Sequence, residues 1–405
     1  MLLQMAWRNL MRNRRRTLLT LSAMSLGVCA IVFGHSFNEA TWSKVIRQVT
    51  ESQVGHLQVH GAGWQAEPEL GNVVADPAQV EARVASALPG ARLAQRVLGY
   101  GLAGTEKQSA AVVVMGLQPE REPSGEGPLS VVRGRALSSE RSGEVVLGRS
   151  LADQLELEPG GELVMLGQAV DGSMANDRYT VAGVADAGSD ELDATAVFLN
   201  LADAQAFFGL GGVHQLLVRL PTEDQDVSAH LEALRGALDL AELEGLSWDQ
   251  MLPELKSVVD QKRGGIKGLA AVVFLIVALG VLNAMTMSTF ERTREFGVMA
   301  SLGTRRGTIR RLVVTEALLL GVVGLAVGVA LAAAGIGAVG SIDMSGLTSS
   351  GDMVGVRIPS VFELRLYPSS VGQAALTVLL TVLAGGLWPA WRASRLKPVE
   401  ATRSV

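Results

Sequence analysis

The chain has 405 residues, of which 48% are hydrophobic and 19% are charged, with a formal net charge of −5. Soluble globular proteins carry about 25% charged residues, so this composition excludes a chain that is soluble along its whole length. Much of the surface must face membrane lipid, and the net charge gives no indication of a nucleic-acid partner.

The chain begins with a basic segment followed by a long apolar stretch. Segment 1–16 carries five arginines and no acid, and residues 17–38 contain no charged side chain. About 20 apolar residues cross a bilayer, so 17–38 predicts the first transmembrane helix. This stretch is longer than the apolar part of a cleaved signal peptide, and we expect it to remain as an anchor. Cys29 within it is the only cysteine, which excludes a disulfide within one chain.

The long segment 39–267 predicts an α+β domain carried on two stalk helices. Apolar residues recur at helix spacing over 39–53 and 248–267, which extends the first and second spans outward. Between the stalks, strand-like and helix-like stretches alternate as two βαβ-like halves around a β-rich insertion at about 128–210. The predicted strands of the halves are 55–60, 92–101, 110–117 and 214–220. One predicted helix begins after Asp76-Pro77, and the other covers 226–238.

Within the insertion, strands at 162–166 and 179–184 predict a hairpin with a polar tip at 167–178. Asp171-Gly172 and Asn176-Asp177 are dipeptides typical of turns. The tip is longer than the two to five residues that suffice to join two strands. It is either an ordinary solvated turn or a binding loop, and the candidate binding residues are Asp171, Gly172, Asn176, Asp177 and Arg178.

The second apolar stretch, 268–290, predicts a second transmembrane helix. Asn283 lies near its middle. A polar side chain at this depth either forms a hydrogen bond between helices or binds the transported substrate, and the first interpretation is favoured.

The loop 291–311 carries the most specific signal in the chain, with six arginines and two glutamates. Phe296, Val298, Met299 and Leu302 recur at helix spacing between charged ends, which predicts a short amphipathic helix. Such a helix either rests on lipid or docks into a groove on a soluble protein. The arginines fit both interpretations, and Glu291 and Glu295 fit the protein dock better.

Two further apolar stretches predict a third span over 312–342 and a fourth over 366–391. Glu316 lies about 7 Å into the third span. An acid at this depth is a functional candidate by default. The alternative, which we favour, is a carboxylate that reaches the lipid headgroups or pairs with a nearby arginine.

The charge distribution predicts the orientation, because Lys and Arg near the ends of spans are retained in the cytoplasm. Segment 1–16, loop 291–311 and tail 392–405 are basic, whereas 39–267 holds 33 acidic and 18 basic side chains. We therefore expect an α-helical protein of the bacterial inner membrane with four transmembrane helices and both termini in the cytoplasm. The α+β domain and the short loop 343–365 are expected in the periplasm.

The sequence lacks the motifs of common catalytic sites. It contains no G-x-x-x-x-G-K-[ST] phosphate loop, no H-E-x-x-H and no G-x-S-x-G, and its five histidines are scattered. No catalytic residue, metal site or bound cofactor is expected in this chain.

The loop 291–306, which reads ERTREFGVMASLGTRR, resembles that of the permease family that includes the macrolide exporter, the lipoprotein-releasing permeases and the FtsX cell-division proteins. AWRNL at 6–10 and WPAWRASRLKPVE at 388–400 are similar to the two ends of that family. GEVVLGRSLA at 143–152 and YTVAGV at 179–184 are similar to its periplasmic core domain. Gly161-Glu162 is a mild departure, since relatives often have Gly-Asp there.

The resemblance implies a dimer of permeases, formed with a second copy or a paralogue, in which each permease contacts a cytoplasmic ABC ATPase that binds ATP and magnesium. ATP-driven closure would pass up the stalks to the outer domain, and no channel would cross the inner membrane. The loop would then be the coupling helix. Its expected contact residues are Glu291, Arg292, Glu295, Phe296, Gly297, Met299, Leu302, Gly303, Arg305 and Arg306.

Three functions are compatible with this family. The lipoprotein-releasing branch fits best, because macrolide exporters usually carry a fused ATPase, whereas this chain starts at the first span, and division permeases have smaller outer domains. That branch extracts lipoproteins or similar lipid-anchored cargo, and the hairpin tip would bind a periplasmic carrier. The alternatives are export of a peptide or small amphiphile to an outer-membrane duct, and control of a cell-wall hydrolase or sensor kinase.

Overall fold

The computed structural model describes residues 2–123, 129–222, 226–343 and 361–395, and the backbone of 352–353 and 356–357. The helices are α1 Leu2–Arg12, α2 Arg14–Gln48, α3 Pro77–Ala87, α4 Arg149–Gln154, α5 Asp190–Thr195, α6 Leu201–Phe208, α7 Ser228–Ala237, α8 Trp248–Met251, α9 Pro253–Glu291, α10 Thr293–Ser301, α11 Arg306–Val339 and α12 Pro368–Ser394. A π-helical turn, Val49–Gln53, follows α2, and a 3-10 turn covers Pro119–Arg121.

The strands are β1 Leu57–Gly61, β2 Arg92–Gly104, β3 Ser109–Leu117, β4 Ser130–Gly134, β5 Glu144–Gly148, β6 Glu162–Gln168, β7 Met174–Asp186, β8 Ala196–Asn200, β9 Gln215–Arg219, β10 Leu243–Ser247, β11 Ser341–Asp343, β12 Asp352–Met353, β13 Val356–Arg357 and β14 Val361–Glu363. The chain divides into two compact units. The helical unit is Met1–Trp42, Val259–Met344 and Val361–Val405, and the outer unit is Ser43–Val258 and Ser345–Ser360.

Among the described residues, four helices are long and apolar enough to cross a membrane. They are Arg14–Gln53, Pro253–Glu291, Arg306–Val339 and Pro368–Ser394. The third helix ends at Val339 rather than at the predicted 342, because Gly340 adopts a φ of +63° and the next residues pair as β11 with β14.

The helical unit has an apolar core formed by α2, α9, α11 and α12. Glycines allow α2 and α11 to approach closely: a Cβ on Gly324 would lie 2.5 Å from Met24 Sδ, and one on Gly328 would lie 2.5 Å from Val28 Cβ. The Gly-x-x-x-Gly pair is therefore a packing face, as close helix contacts in membranes require.

Within the described residues, Asn283 forms no hydrogen bond with another helix of this chain, and its role stays a prediction. Val281 and Met285 face the core of the helical unit, and two residues along a helix rotate a side chain by about 200°. Asn283 is therefore exposed on the opposite face of α9, without a hydrogen-bond partner in the described part of the chain.

Within the described residues, ten strands of the outer unit form one sheet with the order β10-β1-β9-β2-β3-β8-β5-β7-β4, and β6 pairs with β2 and β7. Strands β1 and β2, which are connected through α3, are both antiparallel to β9. Strands β9 and β10, which are connected through α7, both pair antiparallel with β1. Strand β9 therefore lies between β1 and β2, and β1 lies between β9 and β10.

The hairpin tip is shorter than the sequence indicates. Strands β6 and β7 continue to Gln168 and from Met174, so only residues 169–173 connect them. Asn176, Asp177 and Arg178 are paired with Leu166, Met165 and Val164 in the ladder. The prediction of a twelve-residue polar tip was wrong because polar residues on the exposed part of a strand resemble turn residues in sequence.

Candidate ATPase-coupling site

The loop after α9 folds as the short helix α10, as its apolar spacing predicts. The helix ends at Gly303, whose φ of +85° is a conformation that other residues adopt at a cost. The N–H of Gly303 donates to the carbonyl of Ala300 at 3.1 Å, and the N–H of Thr304 donates to that of Met299 at 3.0 Å. This ending turns the chain into α11 within a few residues.

One side of α10 is packed into the helical unit. Phe296 is 1% exposed and belongs to a cluster with Ala6 of α1, Leu312 of α11 and Ala390 of α12. The guanidinium of Arg292 lies 4.9 Å from the centre of the Phe296 ring, within the range of a cation-π contact. Phe296, Gly297 and Arg292 are therefore buried, and these three predicted contact residues hold α10 in place from inside.

A buried ion pair connects α10 to the third span. Glu316 is 2% exposed, and its Oε1 accepts hydrogen bonds from Arg292 Nη1 at 2.7 Å and from Asn9 Nδ2 at 2.5 Å. The carboxylate thus pairs with a nearby arginine, one of the arrangements that the sequence left open. Its second partner, Asn9, lies on α1.

The two other acids of the loop bind basic residues at the start of the chain. Glu295 accepts hydrogen bonds from Arg12 and from Arg292, and Glu291 accepts from Arg16 Nη1 at 3.1 Å. Burial opposes ionisation of Glu295, but the hydrogen bonds from the two arginines outweigh it and hold the pKa of this carboxyl below its usual value. Glu295 therefore fastens α10 to α1, and Glu291 fastens the end of α9 to α2.

The opposite side of α10 is exposed. Val298 is 45% exposed and Leu302 is 81% exposed, and residues four apart lie on one face of a helix. Arg294, Arg305 and Arg306, which lie within a few residues of this pair in sequence, are exposed as well. We call Val298, Leu302 and these three arginines the coupling face. Leu302, Arg305 and Arg306 were among the predicted contact residues, and Val298 and Arg294 were not.

Helix α1 was missed by the sequence analysis, which treated 1–16 only as a basic segment. Ala6 is fully buried, whereas Leu3, Trp7 and Met11 are 64%, 46% and 43% exposed. These three residues recur every four positions, so the helix has an exposed apolar stripe and could have been recognised by its period.

The remaining candidate residues lie elsewhere. Asp171, Gly172, Asn176, Asp177 and Arg178 belong to the hairpin of the outer unit. The described residues contain no group of three or more His, Cys, Asp or Glu that could hold a metal ion.

Comparisons with known proteins bear on the same segments. Residues 268–398 match the FtsX-like permease C-terminal family. This range includes α10 and the buried Glu316. Residues 17–235 match the MacB-like periplasmic core domain. The chain belongs to this family of ABC transporter permeases. Members of the family work with cytoplasmic ABC ATPases.

The permease is similar to transporters with different names. It is 26% identical to the pyoverdine export ATP-binding/permease protein PvdT of Pseudomonas putida, across 99% of the permease and 59% of PvdT. It is 25% identical to the macrolide export ATP-binding/permease protein MacB of Hahella chejuensis, across 98% of the permease and 59% of MacB. It is 24% identical to the lipoprotein-releasing system transmembrane protein LolC of Xylella fastidiosa, across 89% and 87%.

The permease thus spans less than two thirds of PvdT and MacB, and it matches their permease part. Among solved structures, the periplasmic region of MacB from Actinobacillus actinomycetemcomitans aligns with a TM-score of 0.38 at 11% identity, covering 54% of the permease and 98% of that chain.

Proposed function

We propose that this permease couples a separate cytoplasmic ABC ATPase to its outer domain by mechanotransmission, and that it extracts lipoproteins or other lipid-anchored cargo from the inner membrane. The coupling face carries this proposal. It is an exposed apolar pair with three exposed arginines close by in sequence, on a helix that buried contacts fasten to α1, α11 and α12. A rigid helix with one free face can bind a groove on the ATPase and pass on its movement. ATP and magnesium would bind to the ATPase.

The interior of the helical unit supports transmission rather than passage of cargo through one protomer. Its buried hydroxyls bind each other or the backbone: Ser36 Oγ donates to Ser370 Oγ at 3.2 Å, and Ser25 Oγ donates to the carbonyl of Gly324 at 3.3 Å. One cluster of buried residues from α2, α9, α11 and α12 is apolar, and the buried Glu316 is paired with Arg292.

The cargo assignment is supported by LolC, whose length the permease matches over 87%. The second candidate, export of a peptide or small amphiphile, is supported by the fuller match to PvdT and MacB and by the hairpin. The N–H of Val170 in the hairpin turn donates to the carbonyl of Phe208 at 2.9 Å, so the turn is fastened to the end of α6.

The two cargo classes are separable by reconstitution. The permease, its ATPase and any second permease are placed in liposomes that carry a fluorescent lipoprotein in the outward-facing leaflet. ATP-dependent appearance of that lipoprotein on a soluble carrier supports extraction. ATP-driven movement of amphiphiles, with the lipoprotein retained in the membrane, contradicts it.

The orientation is a prediction that cysteine labelling tests. Single cysteines replace Asp171 or Thr304 in a Cys29→Ser background, and intact cells receive a membrane-impermeant thiol reagent. We expect labelling at Asp171, which is exposed in the hairpin turn, and none at Thr304 until the cells are lysed. Labelling of the Thr304 position in intact cells contradicts the proposed orientation. Asp224 would report on the same side but lies outside the described residues.

A second experiment tests the hairpin turn as a carrier dock. Residues 169–173 are replaced by Asn-Gly, which supports a tight turn and keeps Gln168 paired with Met174. If the turn binds a carrier, transfer of lipoprotein to that carrier falls by about tenfold or more, the scale of losing a central contact. The matched control replaces 105–108, the turn between β2 and β3, in the same way. Equal transfer by the two variants contradicts the dock.

A further inference from the structure

Three buried charged residues of the outer unit have no role in the functions described above. Arg96 of β2, Glu122 and Arg219 of β9 are 3%, 7% and 1% exposed. Glu122 accepts hydrogen bonds from Arg96 Nε at 2.8 Å and Nη2 at 2.7 Å, and from Arg219 Nη2 at 2.8 Å. One carboxylate thus holds two guanidinium groups from adjacent strands.

Other N–H groups of the two arginines donate to the end of the first stalk helix, while Arg219 Nη1 donates to the carbonyl of Arg121 at 3.3 Å. Arg219 Nε donates to the carbonyl of Glu51 at 2.7 Å. Arg96 Nη2 donates to that of Ser52 at 3.3 Å, and Arg96 Nη1 donates to that of Gln53. These carbonyls belong to the π-helical turn after α2. The last carbonyls of a helix have no partner within the helix and carry partial negative charge, so arginine side chains satisfy both needs.

The second stalk is attached in another way. It begins with the short helix α8, whose N-terminus is capped by a capping box of Ser247 and Gln250. The N–H of Trp248 donates to the carbonyl of His56 at 3.1 Å. The second stalk is thus attached by its backbone, by Ser247 and by Arg235, whose Nη2 donates to Gln250 Oε1 at 3.3 Å, whereas the first is attached by a buried ionic cluster.

Stability alone is a weak reason for such a cluster. Burying three charges costs free energy that their attraction repays only with near-ideal geometry, and apolar residues of similar volume often serve as well or better. An arginine fork does supply fixed direction, since its planar donors reach two acceptors at set angles. The cluster therefore specifies the position of the stalk end relative to β2 and β9. Single π-helical turns are rare and are frequently found at functional sites.

We propose that Arg96, Glu122 and Arg219, here called the stalk lock, are positioning residues that transfer movement of the first stalk to the sheet of the outer domain. Without the lock, movement of the stalk end would be absorbed in residues 54–56, which connect it to β1. The inference rests on the proposed mechanotransmission and identifies where the outer domain receives it.

The test uses the full-length permease with its ATPase in liposomes. Arg219→Lys keeps the positive charge beside Glu122 but removes the fork that reaches Glu51. The matched control is Arg133→Lys, because Arg133 forms a fork to Asp153 and Glu158 in the same unit but does not touch the stalk. A triple variant, Arg96→Met with Glu122→Leu and Arg219→Met, removes all donors while keeping an uncharged buried cluster that is expected to fold.

Two measurements are made on each variant. The first is cargo released per ATP hydrolysed. The second is the distribution of distances between spin labels at Lys44 on α2 and Lys107 in the turn between β2 and β3, in a Cys29→Ser background. The second does not depend on the identity of the cargo, so it separates failure of the lock from failure of the proposed function.

For Arg219→Lys and the triple variant we expect a broader distance distribution, unchanged ATP hydrolysis and a fall of about tenfold in release per ATP, the scale of one lost charge-assisted hydrogen bond. Arg133→Lys should match the wild type in its distance distribution, in ATP hydrolysis and in release per ATP. A distance distribution as narrow as that of the wild type in both lock variants overturns the inference, even if release is impaired. If the wild-type permease releases no lipoprotein, the proposed cargo is contradicted. A broader distance distribution in the lock variants than in the wild type still supports the stalk lock in that case.

Discussion

Replacing Glu316 by alanine is expected to destabilise the helical unit by about 1.5–3 kcal/mol, because Arg292 loses a buried charge-assisted hydrogen bond and keeps only Glu295 as a carboxylate partner. The change leaves Arg292, whose side chain is 11% exposed, without the carboxylate at 2.7 Å. It also removes the acceptor for Asn9. The measurement is thermal unfolding of the purified permease, together with ATP hydrolysis by the complex.

The control for this prediction is Glu363→Ala. Glu363 pairs with Arg365 at 3.0 Å, but both side chains are 68% exposed, and exposed pairs contribute about 0–1 kcal/mol. Glu316→Gln separates the contribution of the charge from that of the hydrogen bonds, because the amide oxygen still accepts hydrogen bonds but carries no charge. If Glu316→Ala melts at the temperature of the Glu363→Ala control, the buried pair does not hold α10 in place.

Replacing Leu302 by serine should lower permease-stimulated ATP hydrolysis by about tenfold or more, because truncation of a central apolar contact commonly costs a few kcal/mol of binding. Leu302 is 81% exposed, so the permease itself should fold and remain in the membrane. Leu240→Ser is the control, since Leu240 is 58% exposed in the outer unit. Normal stimulation by the Leu302 variant, at saturating and at limiting ATPase, would show that α10 is only a membrane-surface helix.

Leu302 is a better probe than the residues the sequence alone recommends. Arginine at Gly303 would be strained at a φ of +85°, so lost activity would not identify a contact. Arginine at Glu295 would break the hydrogen bonds from Arg12 and Arg292, and α10 itself would shift. Both changes would lower activity even if no partner touched the coupling face.

Local patterns predicted much of the fold. Charge-free stretches of sufficient length led to the four long helices, and the spacing of Phe296 and Met299 led to α10. Strand β8 was missed, because all five of its residues are buried and a short apolar run has no alternation to reveal its period. Residues 174–178 were assigned to a turn because their polar side chains carry the same composition as a loop.

The candidate site was harder to predict, because its contacts join distant parts of the chain. Asn9 and Glu316 are 307 positions apart, and no local spacing indicates that they meet. The sequence left open whether Glu316 reaches the lipid headgroups or pairs with an arginine, and Arg292 was identifiable as its partner only once α10 had been placed beside α11. Likewise, the apolar side of α10 divides into buried Phe296 and exposed Leu302 only through packing against α1 and α12.

The central claim, that the coupling face binds a cytoplasmic ATPase, is tested most directly by cross-linking from Val298. A photoreactive group is attached to a Val298→Cys variant in a Cys29→Ser background, and membranes that contain the ATPase are irradiated. A matched variant carries the group at Lys107 in the outer unit. We predict a covalent adduct with the ATPase from position 298 and none from position 107. Adducts with lipid alone from position 298, in membranes where the complex hydrolyses ATP normally, would contradict the account.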